Sequence, residues 1–306
     1  MNSFRLSILS AALFCLFALP AHADLNVVTT VADLGALTKA IGGDKTSVTV
    51  LALPSQDPHF VDAKPNLALA LNKADLLIAI GLDLEIGWLP TLQLSARNSK
   101  ILAGNPGFLD ASQFVKILEA PVVKVDRSQG DVHPGGNPHY LHDPRMAVAV
   151  ARGLQERMAQ LDPKNAAGYQ ANLEKFITEV EAARAGWEKR LAAVRGVPVI
   201  SYHKTTAYLG DWLGFKTIAY LEPKPGIPPT PSHVAQVLMQ GRQQKAQFVV
   251  QEEYYPDSTS KLVASKIPAG IVIFPSGAKF REGETYVQRM ERLVQRLEQA
   301  FAAKGG

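Results

Sequence analysis

The chain has 306 residues, of which 47% are hydrophobic, and its 32 lysines and arginines against 28 aspartates and glutamates give a formal net charge of +4. This length provides a core for one large domain or two ordinary ones. Both signs of charge are spread along the chain without a concentrated basic stripe, so nucleic acid is excluded as an expected partner.

The first 23 residues have the pattern of a secretory signal. Arg5 supplies a positive charge, residues 6–19 form a short apolar run, and Ala21-His22-Ala23 has the small-x-small pattern of a cleavage site. The alternative is a membrane anchor, but the apolar run is too short to span a bilayer comfortably. We therefore expect an exported protein that starts at Asp24. Because the only cysteine, Cys15, lies in the signal, any metal bound by the exported chain would be held mainly by nitrogen and oxygen atoms.

Short β-branched runs then alternate with segments of helical periodicity, and this pattern occurs both before and after the middle of the chain. Apolar residues at three- and four-residue spacing predict helices over residues 66–73 and 234–244. The alternation predicts an α/β fold with two lobes and mainly parallel sheets. The predicted strands cover residues 25–31, 48–53, 76–80, 122–125, 197–201, 217–221, 248–251 and 271–274.

The middle of the chain, residues 144–196, consists almost entirely of helix-forming residues. Asp143 is a predicted N-cap and Pro144 a first-turn residue, and Leu161-Asp162-Pro163 divides the stretch into two helices. The second, residues 164–194, would be about 45 Å long at about 1.5 Å per residue. We interpret it as a rigid helix that joins an N-terminal lobe, 24–143, to a C-terminal lobe, 197–306. A helical hairpin packed on a single domain is the alternative.

Three histidines lie where predicted strands end and loops begin, or just before the long helical stretch. His59 and His203 each follow a predicted strand, and His139 lies in a loop rich in glycine and proline. Glu252 also follows a predicted strand. Ligands of open α/β sheets bind outside the carboxyl ends of the strands, and neutral imidazole is a standard ligand of zinc. The sequence therefore predicts a metal site between the two lobes.

Other polar residues near these positions have simpler interpretations. His133 lies in the Gly/Pro loop and is interpreted as a solvated side chain, whereas His142 is a supporting or surface group. Asp57 is expected to order its own loop, and Asp257 to cap the following helix. A single histidine after a strand is itself often a surface or capping residue, so the prediction depends on the three histidines together.

Four motifs together resemble the periplasmic metal-binding proteins of zinc and manganese ABC importers, and the similarity covers nearly all of the chain after residue 23. The motifs are Gln56-Asp57-Pro58-His59-Phe60, Asn137-Pro138-His139-Tyr140 with Asp143-Pro144, Tyr202-His203-Lys204 with Tyr208, and the proline-rich residues 223–233. Each alone is weak, but their combination is specific.

The resemblance implies two lobes bridged by a long helix, with one metal ion held between them by His59, His139 and His203. The metal is a transported cargo, so a monomeric binding protein is implied, with a permease in the inner membrane as its partner and no enzymatic activity. Family members that favour manganese often place a carboxylate at the third ligand position. This chain has His203 there, which favours Zn²⁺ over Mn²⁺.

The chain departs from the family at the fourth ligand. The family usually supplies an aspartate after the last strand, but here that place reads Ile273-Phe274-Pro275-Ser276-Gly277, without a carboxylate. Glu252 is the best substitute. Glu253 points to the other side of its strand if the alternation continues. A fourth position filled by water is the remaining possibility.

Two other functions are compatible with three histidines. A secreted zinc hydrolase also uses three protein ligands and an open position, but the chain has no His-Glu-x-x-His helix. An adhesin or structural protein could use the metal only to stabilise its fold. A permease and an ATPase encoded beside the gene would favour transport over both.

Overall fold

A computed structural model describes residues 25–122 and 130–305, which form two four-stranded sheets flanked by helices. The predicted signal, residues 1–23, and residues 123–125 of the predicted strand 122–125 lie outside the described residues. The predicted α/β architecture of two lobes joined by a long helix is confirmed by the sheets and helices described below.

The first sheet contains four parallel strands in the order β2-β1-β3-β4, with helices connecting them. Strand β3 is buried at every position, as expected for a sheet with helices on both faces. The strands are β1 (Leu25–Thr29), β2 (Thr46–Val50), β3 (Leu76–Ala79) and β4 (Phe108–Asp110), and the helices are α1 (Ala32–Gly42), α2 (Pro65–Asn72) and α3 (Leu89–Ala96).

The second sheet repeats this topology, with four parallel strands in the order β6-β5-β7-β8. In each sheet the chain order reverses between the two central strands, which is where open α/β sheets form their ligand crevice. The strands are β5 (Pro198–Ser201), β6 (Lys216–Tyr220), β7 (Phe248–Glu252) and β8 (Gly270–Phe274), and the helices are α6 (Ala207–Leu213), α7 (Pro231–Gln243) and α8 (Ser258–Lys266).

Three helices are longer than the rest: α4 (Pro144–Leu161), α5 (Ala166–Arg190) and α9 (Tyr286–Gly305). Helices α4 and α5 lie between the two sheets in the chain, and α9 follows β8 and packs against it and against α5. The predicted start of α4 is confirmed, because Asp143 Oδ1 accepts a hydrogen bond from the Arg145 backbone N–H at 2.8 Å and Pro144 is the first helical residue. The buried positions of α5 recur at helical spacing along its length and face α1, α4 and α9. They are Tyr169, Leu173, Phe176, Val180 and Trp187.

The largest hydrophobic core is continuous across both sheets and the joining helices. It contains Leu34 and Ile78 from the first sheet and its helix, Val180 from α5, Val250 from β7 and Leu293 from α9. Two smaller cores cover the outer face of each sheet. Since apolar burial contributes about 25 cal/mol per Å², the shared core resists independent movement of the lobes.

Three predicted strands differ from the structure. The first strand ends at Thr29 instead of Val31, because Val31 is already the N-cap of α1. The second strand spans Thr46–Val50 instead of residues 48–53. The fourth strand of the first sheet is the three-residue β4, and Val122 is fully exposed and outside any strand. Along residues 25–122 and 130–305, no helix is long and apolar enough to cross a bilayer.

Candidate metal centre

The three predicted histidines come from loops at one edge of the two sheets. His59 lies between β2 and α2, His203 follows β5 directly, and His139 precedes the short 3-10 helix Tyr140–His142 that leads into α4. All three side chains are almost fully buried, with exposed fractions of 5%, 9% and 2% for His59, His139 and His203. Parallel topology therefore places them in the crevice between the lobes, as the sequence predicts.

Their rings form a compact cluster. The ring centroids are 5.5 Å apart for His59 and His139, 5.2 Å for His59 and His203, and 5.1 Å for His139 and His203. One potential ligand atom from each of the three lies within 4.8 Å of the other two. Two nitrogens bound to one zinc ion at about 2.0–2.1 Å lie about 3.3 Å apart, so only a small contraction is needed.

A hydrogen bond at the second ring nitrogen orients each imidazole. His59 Nδ1 is 2.7 Å from Asp57 Oδ1, and His203 Nδ1 is 2.5 Å from Glu222 Oε2. A carboxylate only accepts, so each Nδ1 carries a proton, and in the neutral imidazole Nε2 then has the free lone pair. The expected loop-ordering role of Asp57 is confirmed, because the same oxygen accepts the backbone N–H of His59 at 3.0 Å.

His139 is oriented by an amide instead. Its Nδ1 is 2.9 Å from Asn137 Oδ1. The amide orientation is determined, because Asn137 Nδ2 donates to Glu119 Oε2 at 3.0 Å and to the Lys204 carbonyl at 2.8 Å. The oxygen must therefore face His139, whose Nδ1 donates and whose Nε2 again keeps its lone pair.

The inward-facing nitrogens explain two buried polar atoms that lack hydrogen bonds. Among the described residues, His139 Nε2 and His203 Nε2 are buried without a hydrogen-bond partner. Such atoms are rare in folded proteins and require an explanation. A metal cation between these lone pairs provides one, and the all-nitrogen donor set fits zinc.

The electrostatics of the cluster favour neutral imidazole. Burial, followed by repulsion from His203 and His59, holds the pKa of His139 well below its ordinary value, so this ring is neutral near pH 7. Burial opposes ionisation of Asp57, but the hydrogen bonds from the side chain and backbone of His59 outweigh it and hold the Asp57 pKa below its usual value. The cluster thus combines a neutral imidazole, His139, with an ionised carboxylate, Asp57, that supports His59.

Glu252, the predicted fourth ligand, is not brought into the histidine cluster. Its Oε2 accepts a hydrogen bond from Thr205 Oγ1 at 3.0 Å, and its Oε1 is 3.8 Å from His142 Nε2. Burial raises the pKa of Glu252 to about 8, so the carboxyl is mostly protonated near pH 7. Glu253, the residue after the end of β7, is exposed.

His142 belongs to a buried polar network beside the cluster. Arg289, fully buried on α9, donates to His142 Nδ1 at 2.6 Å and to the Pro275 carbonyl at 3.0 Å. Its Nε lies 3.6 Å from Asp33 Oδ2 on α1. This network joins both lobes beside the three clustered histidines, so His142 has a supporting position.

One histidine at the cluster was missed in the sequence analysis. His133 Nε2 is 3.2 Å from His59 Nε2, and its ring centroid is 5.3 Å from that of His59. The surrounding Gly/Pro-rich loop has no periodicity from which side-chain direction could be predicted. Its separation of six residues from His139 was the available signal. Asn137 and Glu222, which orient ligand candidates, were also not identified.

Comparison with known proteins gives a family for this arrangement. The family model for the periplasmic component A of the zinc-uptake complex, ZnuA, matches residues 27–300. The chain belongs to this family. The family predicted from the four motifs is thereby confirmed, as is its class: a solute-binding protein of a metal ABC importer, without enzymatic activity.

Individual relatives agree with this result. The high-affinity zinc uptake system protein ZnuA of Paracoccus denitrificans is 25% identical over 69% of this chain and 71% of its own length. The zinc-binding lipoprotein AdcA of Streptococcus pneumoniae is 21% identical over 98% of this chain, which spans 62% of that relative. A crystal structure of ZnuA has a TM-score of 0.73 at 22% identity, covers 90% of this chain and 99% of its own, and confirms the fold.

The ZnuA family assignment also bears on the competing functions. Nothing in the family supports the secreted hydrolase, and zinc is the metal of the family's uptake system. In the segment after β8, where the resemblance leads us to expect an aspartate, Ser276 lines a cavity together with His139 and His142. A hydroxyl therefore stands where a carboxylate was expected from the resemblance.

Proposed function

We propose that this chain captures one zinc ion in the periplasm, holds it through Nε2 of His59, His139 and His203, and delivers it to the permease of an ABC importer in the inner membrane. One observation carries the proposal: these three nitrogens converge with their lone pairs inward, while hydrogen bonds to Asp57, Asn137 and Glu222 occupy the opposite ring nitrogens.

The donor set supports zinc over manganese. Imidazole nitrogen suits zinc, whereas manganese prefers carboxylate, carbonyl and water oxygen. The three ligand candidates here are all histidines. Zinc is the cargo, and manganese is expected to bind more weakly.

In this proposal the chain acts as a monomer after removal of residues 1–23. We assign residues 24–143 and 197–306 to the two lobes and 144–196 to the joining helices. The 25 residues of α5 extend about 38 Å at about 1.5 Å per residue. Because the main core is continuous across the lobes, capture and release involve small lobe movements instead of wide closure.

Two candidates for the fourth ligand follow from the sequence: Glu252 and a water molecule. For Glu252 to reach the cluster, its carboxyl must leave the Thr205 hydroxyl and lose its proton. A water ligand would require neither change. Variants of Glu252 therefore belong in the metal-binding experiments.

The proposal is tested by calorimetric titration of the exported, chelator-stripped protein with zinc and, separately, manganese. One tight zinc site and weak manganese binding are expected, with the tight site lost in His139→Ala. His233→Ala is the matched control, because His233 donates to the Tyr220 carbonyl at 2.9 Å and is outside the cluster. Absence of a tight zinc site in the wild-type protein would contradict the proposal. The mass of the exported chain tests cleavage after Ala23.

A growth experiment separates transport from a structural use of the metal. Deletion of the gene should slow growth under zinc limitation, and added zinc should restore it. Growth that is the same with and without the gene in zinc-poor medium would contradict a role in uptake.

A further inference from the structure

We propose that His133 supplies the fourth nitrogen ligand of the zinc ion through Nε2. This inference rests on the proposed function and concerns the ligand shell of the same site. In this assignment His133, from the loop that precedes His139, occupies the fourth ligand position. It takes the place of the carboxylate that is missing after β8 and of Glu252, which the sequence predicted.

The position of the His133 ring matches a shared tetrahedral ion. Its Nε2 lies 3.2 Å from His59 Nε2. Two nitrogens bound at about 2.0–2.1 Å to one tetrahedral zinc ion lie about 3.3 Å apart. The ring centroid is also 6.2 Å from that of His139, so His133 approaches the cluster from the side of His59.

The hydrogen bonds of the two rings determine which atoms face each other. His133 Nδ1 is 2.9 Å from the Leu82 carbonyl, which only accepts, so the proton is on Nδ1. His59 Nδ1 likewise donates to Asp57. The two Nε2 lone pairs therefore point toward each other at 3.2 Å, an arrangement that a bound cation between them stabilises.

The loop that carries His133 is attached to both lobes. Leu82, in the N-terminal lobe, has a positive φ of 53°, which turns its backbone at the contact with His133. On the other side, the Asp131 N–H donates to the Pro225 carbonyl at 2.8 Å. The Gly136 N–H donates back to the His133 carbonyl at 3.0 Å. The histidine is thus positioned by fixed backbone contacts.

The loop around Pro225 is itself connected to another proposed ligand. The Gly226 N–H donates to Glu222 Oε2 at 3.0 Å, and the same oxygen accepts from His203 Nδ1. Gly226 approaches the Asp131 carboxylate so closely that a Cβ atom would clash with it. The Glu222 carboxylate therefore orients His203 and also holds the loop around Pro225, which contacts the segment that carries His133.

His133 also lies on the path between solvent and the buried histidines. It is half-buried and, together with His203, lines a surface cleft in which the two carboxylates of Glu119 and Asp131 outnumber the single ammonium group of Lys204. Negative charge in a cleft attracts a cation. A ligand at this boundary completes the shell after the ion has entered and is the first ligand available to leave on release.

Glu252 is disfavoured by its contacts. Its two oxygens face Thr205 and His142, and neither is part of the group formed by the ligand atoms of the three buried histidines. His133 keeps its Nδ1 hydrogen bond to the Leu82 carbonyl while Nε2 faces the cluster, whereas Glu252 must give up its bond to Thr205.

The test is zinc K-edge X-ray absorption, together with zinc affinity from chelator competition, on the exported full-length mature protein. The wild-type spectrum should show four nitrogen or oxygen neighbours at about 2.0–2.1 Å with multiple scattering from four imidazoles. His133→Ala should lose one imidazole and bind zinc at least about tenfold more weakly, since loss of even an indirect partner costs about that much. His233→Ala is the matched control and should be unchanged.

The possible results separate this inference from the proposed function. Three imidazoles in the wild type, with affinity unchanged in His133→Ala, would overturn the assignment of His133 while leaving the zinc site intact. Weakened zinc binding in Glu252→Gln but not in His133→Ala would assign the fourth position to Glu252. That result would also overturn the assignment of His133. Absence of zinc binding by the wild type would overturn the proposed function and this inference together. Circular dichroism of the metal-free variants verifies that they are folded.

Discussion

At the scale of single residues, the groups behind the proposed ligands determine whether the site is ready for a metal. Asp57, Asn137 and Glu222 each hold the Nδ1 proton of one histidine. Without such a partner, an imidazole rotates and exchanges tautomers. Restoring its orientation then makes the free energy of metal binding less favourable. The supporting residues are therefore expected to contribute to affinity although they do not contact zinc.

Glu222→Ala tests this expectation. His203 loses the acceptor for Nδ1, so zinc affinity should fall by roughly 10–100-fold while the number of zinc neighbours stays the same. Chelator competition measures the affinity. Glu253→Ala, an exposed carboxylate of the same lobe, should have wild-type affinity. An unchanged affinity in Glu222→Ala would show that the tautomer of His203 is not controlled by this contact.

Glu252 gives a prediction about stability and pH. Burial raises its folded-state pKa to about 8 from the ordinary value of 4.5. Between these values the folded protein retains a proton that the unfolded chain has lost, so stability falls as pH rises through this window. Glu252→Gln should remove a few kcal/mol of this fall in the metal-free protein. Denaturant unfolding at pH 5 and pH 8 measures the effect.

The control for this prediction is Glu253→Gln, whose exposed side chain should leave the pH dependence as in the wild type. Glu85, whose pKa burial raises to about 7, remains in all three proteins and accounts for a residual slope. An equal loss of stability between pH 5 and pH 8 in the wild type, Glu252→Gln and Glu253→Gln would contradict a protonated, buried Glu252.

At the scale of secondary-structure elements, α5 is the structural connection between the lobes. Trp187 near its end is among the largest fully buried side chains. Its Nε1–H donates to Glu291 Oε2 on α9 at 2.7 Å, and its ring meets Trp212 of α6 edge-on at 6.1 Å. The contact fixes α5 against two elements of the C-terminal lobe.

Trp187→Ala should lower the free energy of unfolding by about 3–5 kcal/mol, because it leaves a cavity in the core and removes the hydrogen bond to Glu291. Urea denaturation of the metal-free protein provides the measurement. Met239→Ala on α7, where the side chain is 64% exposed, should change stability by less than about 0.5 kcal/mol. A similarly small effect of Trp187→Ala would mean that the end of α5 is not fixed by this packing.

Elements with clear periodicity or clear capping residues were predictable from the sequence. The start of α4 at Asp143-Pro144 and its end at Leu161 follow from local chemistry. Strand β4 was not predicted, because three residues carry too little alternation. Helix α1 was not assigned in advance, since nine of its eleven residues are buried and the apolar pattern has no clear polar face.

The candidate site was predictable where a histidine lies in the loop that follows a strand. His59 and His203 were found because topology places the ends of parallel strands together. The position of His133 depends on contacts with Leu82 and on the attachment of its loop at Pro225, far apart in sequence. Local patterns contain no information on such contacts, and the raised pKa of Glu252 also arises only from burial in the folded protein.

At the scale of the whole molecule, the two lobes are held by more than the joining helices. Tyr286 of α9 donates to the Leu141 carbonyl at 2.9 Å, and the Ala278 N–H donates to Asp33 Oδ1 at 2.8 Å. With the continuous core, these bonds oppose hinge opening. Release to a permease must then begin with local rearrangement of the ligand loops.

Small-angle X-ray scattering of the metal-free and zinc-loaded protein tests this rigidity. The radius of gyration should agree between the two forms within the measurement error, because no wide hinge motion accompanies binding. Hydrogen exchange should slow on zinc binding mainly in the loops around His59, His133 and His203. A clear decrease in the radius of gyration with zinc would contradict the rigid arrangement.

The most direct test of a zinc site formed by the convergent histidines is anomalous diffraction at the zinc edge from crystals of the exported, zinc-loaded protein. The account predicts one strong anomalous peak about 2.0–2.1 Å from Nε2 of His59, His139 and His203. A peak elsewhere on the protein, or zinc bound through fewer than these three histidines, would contradict it.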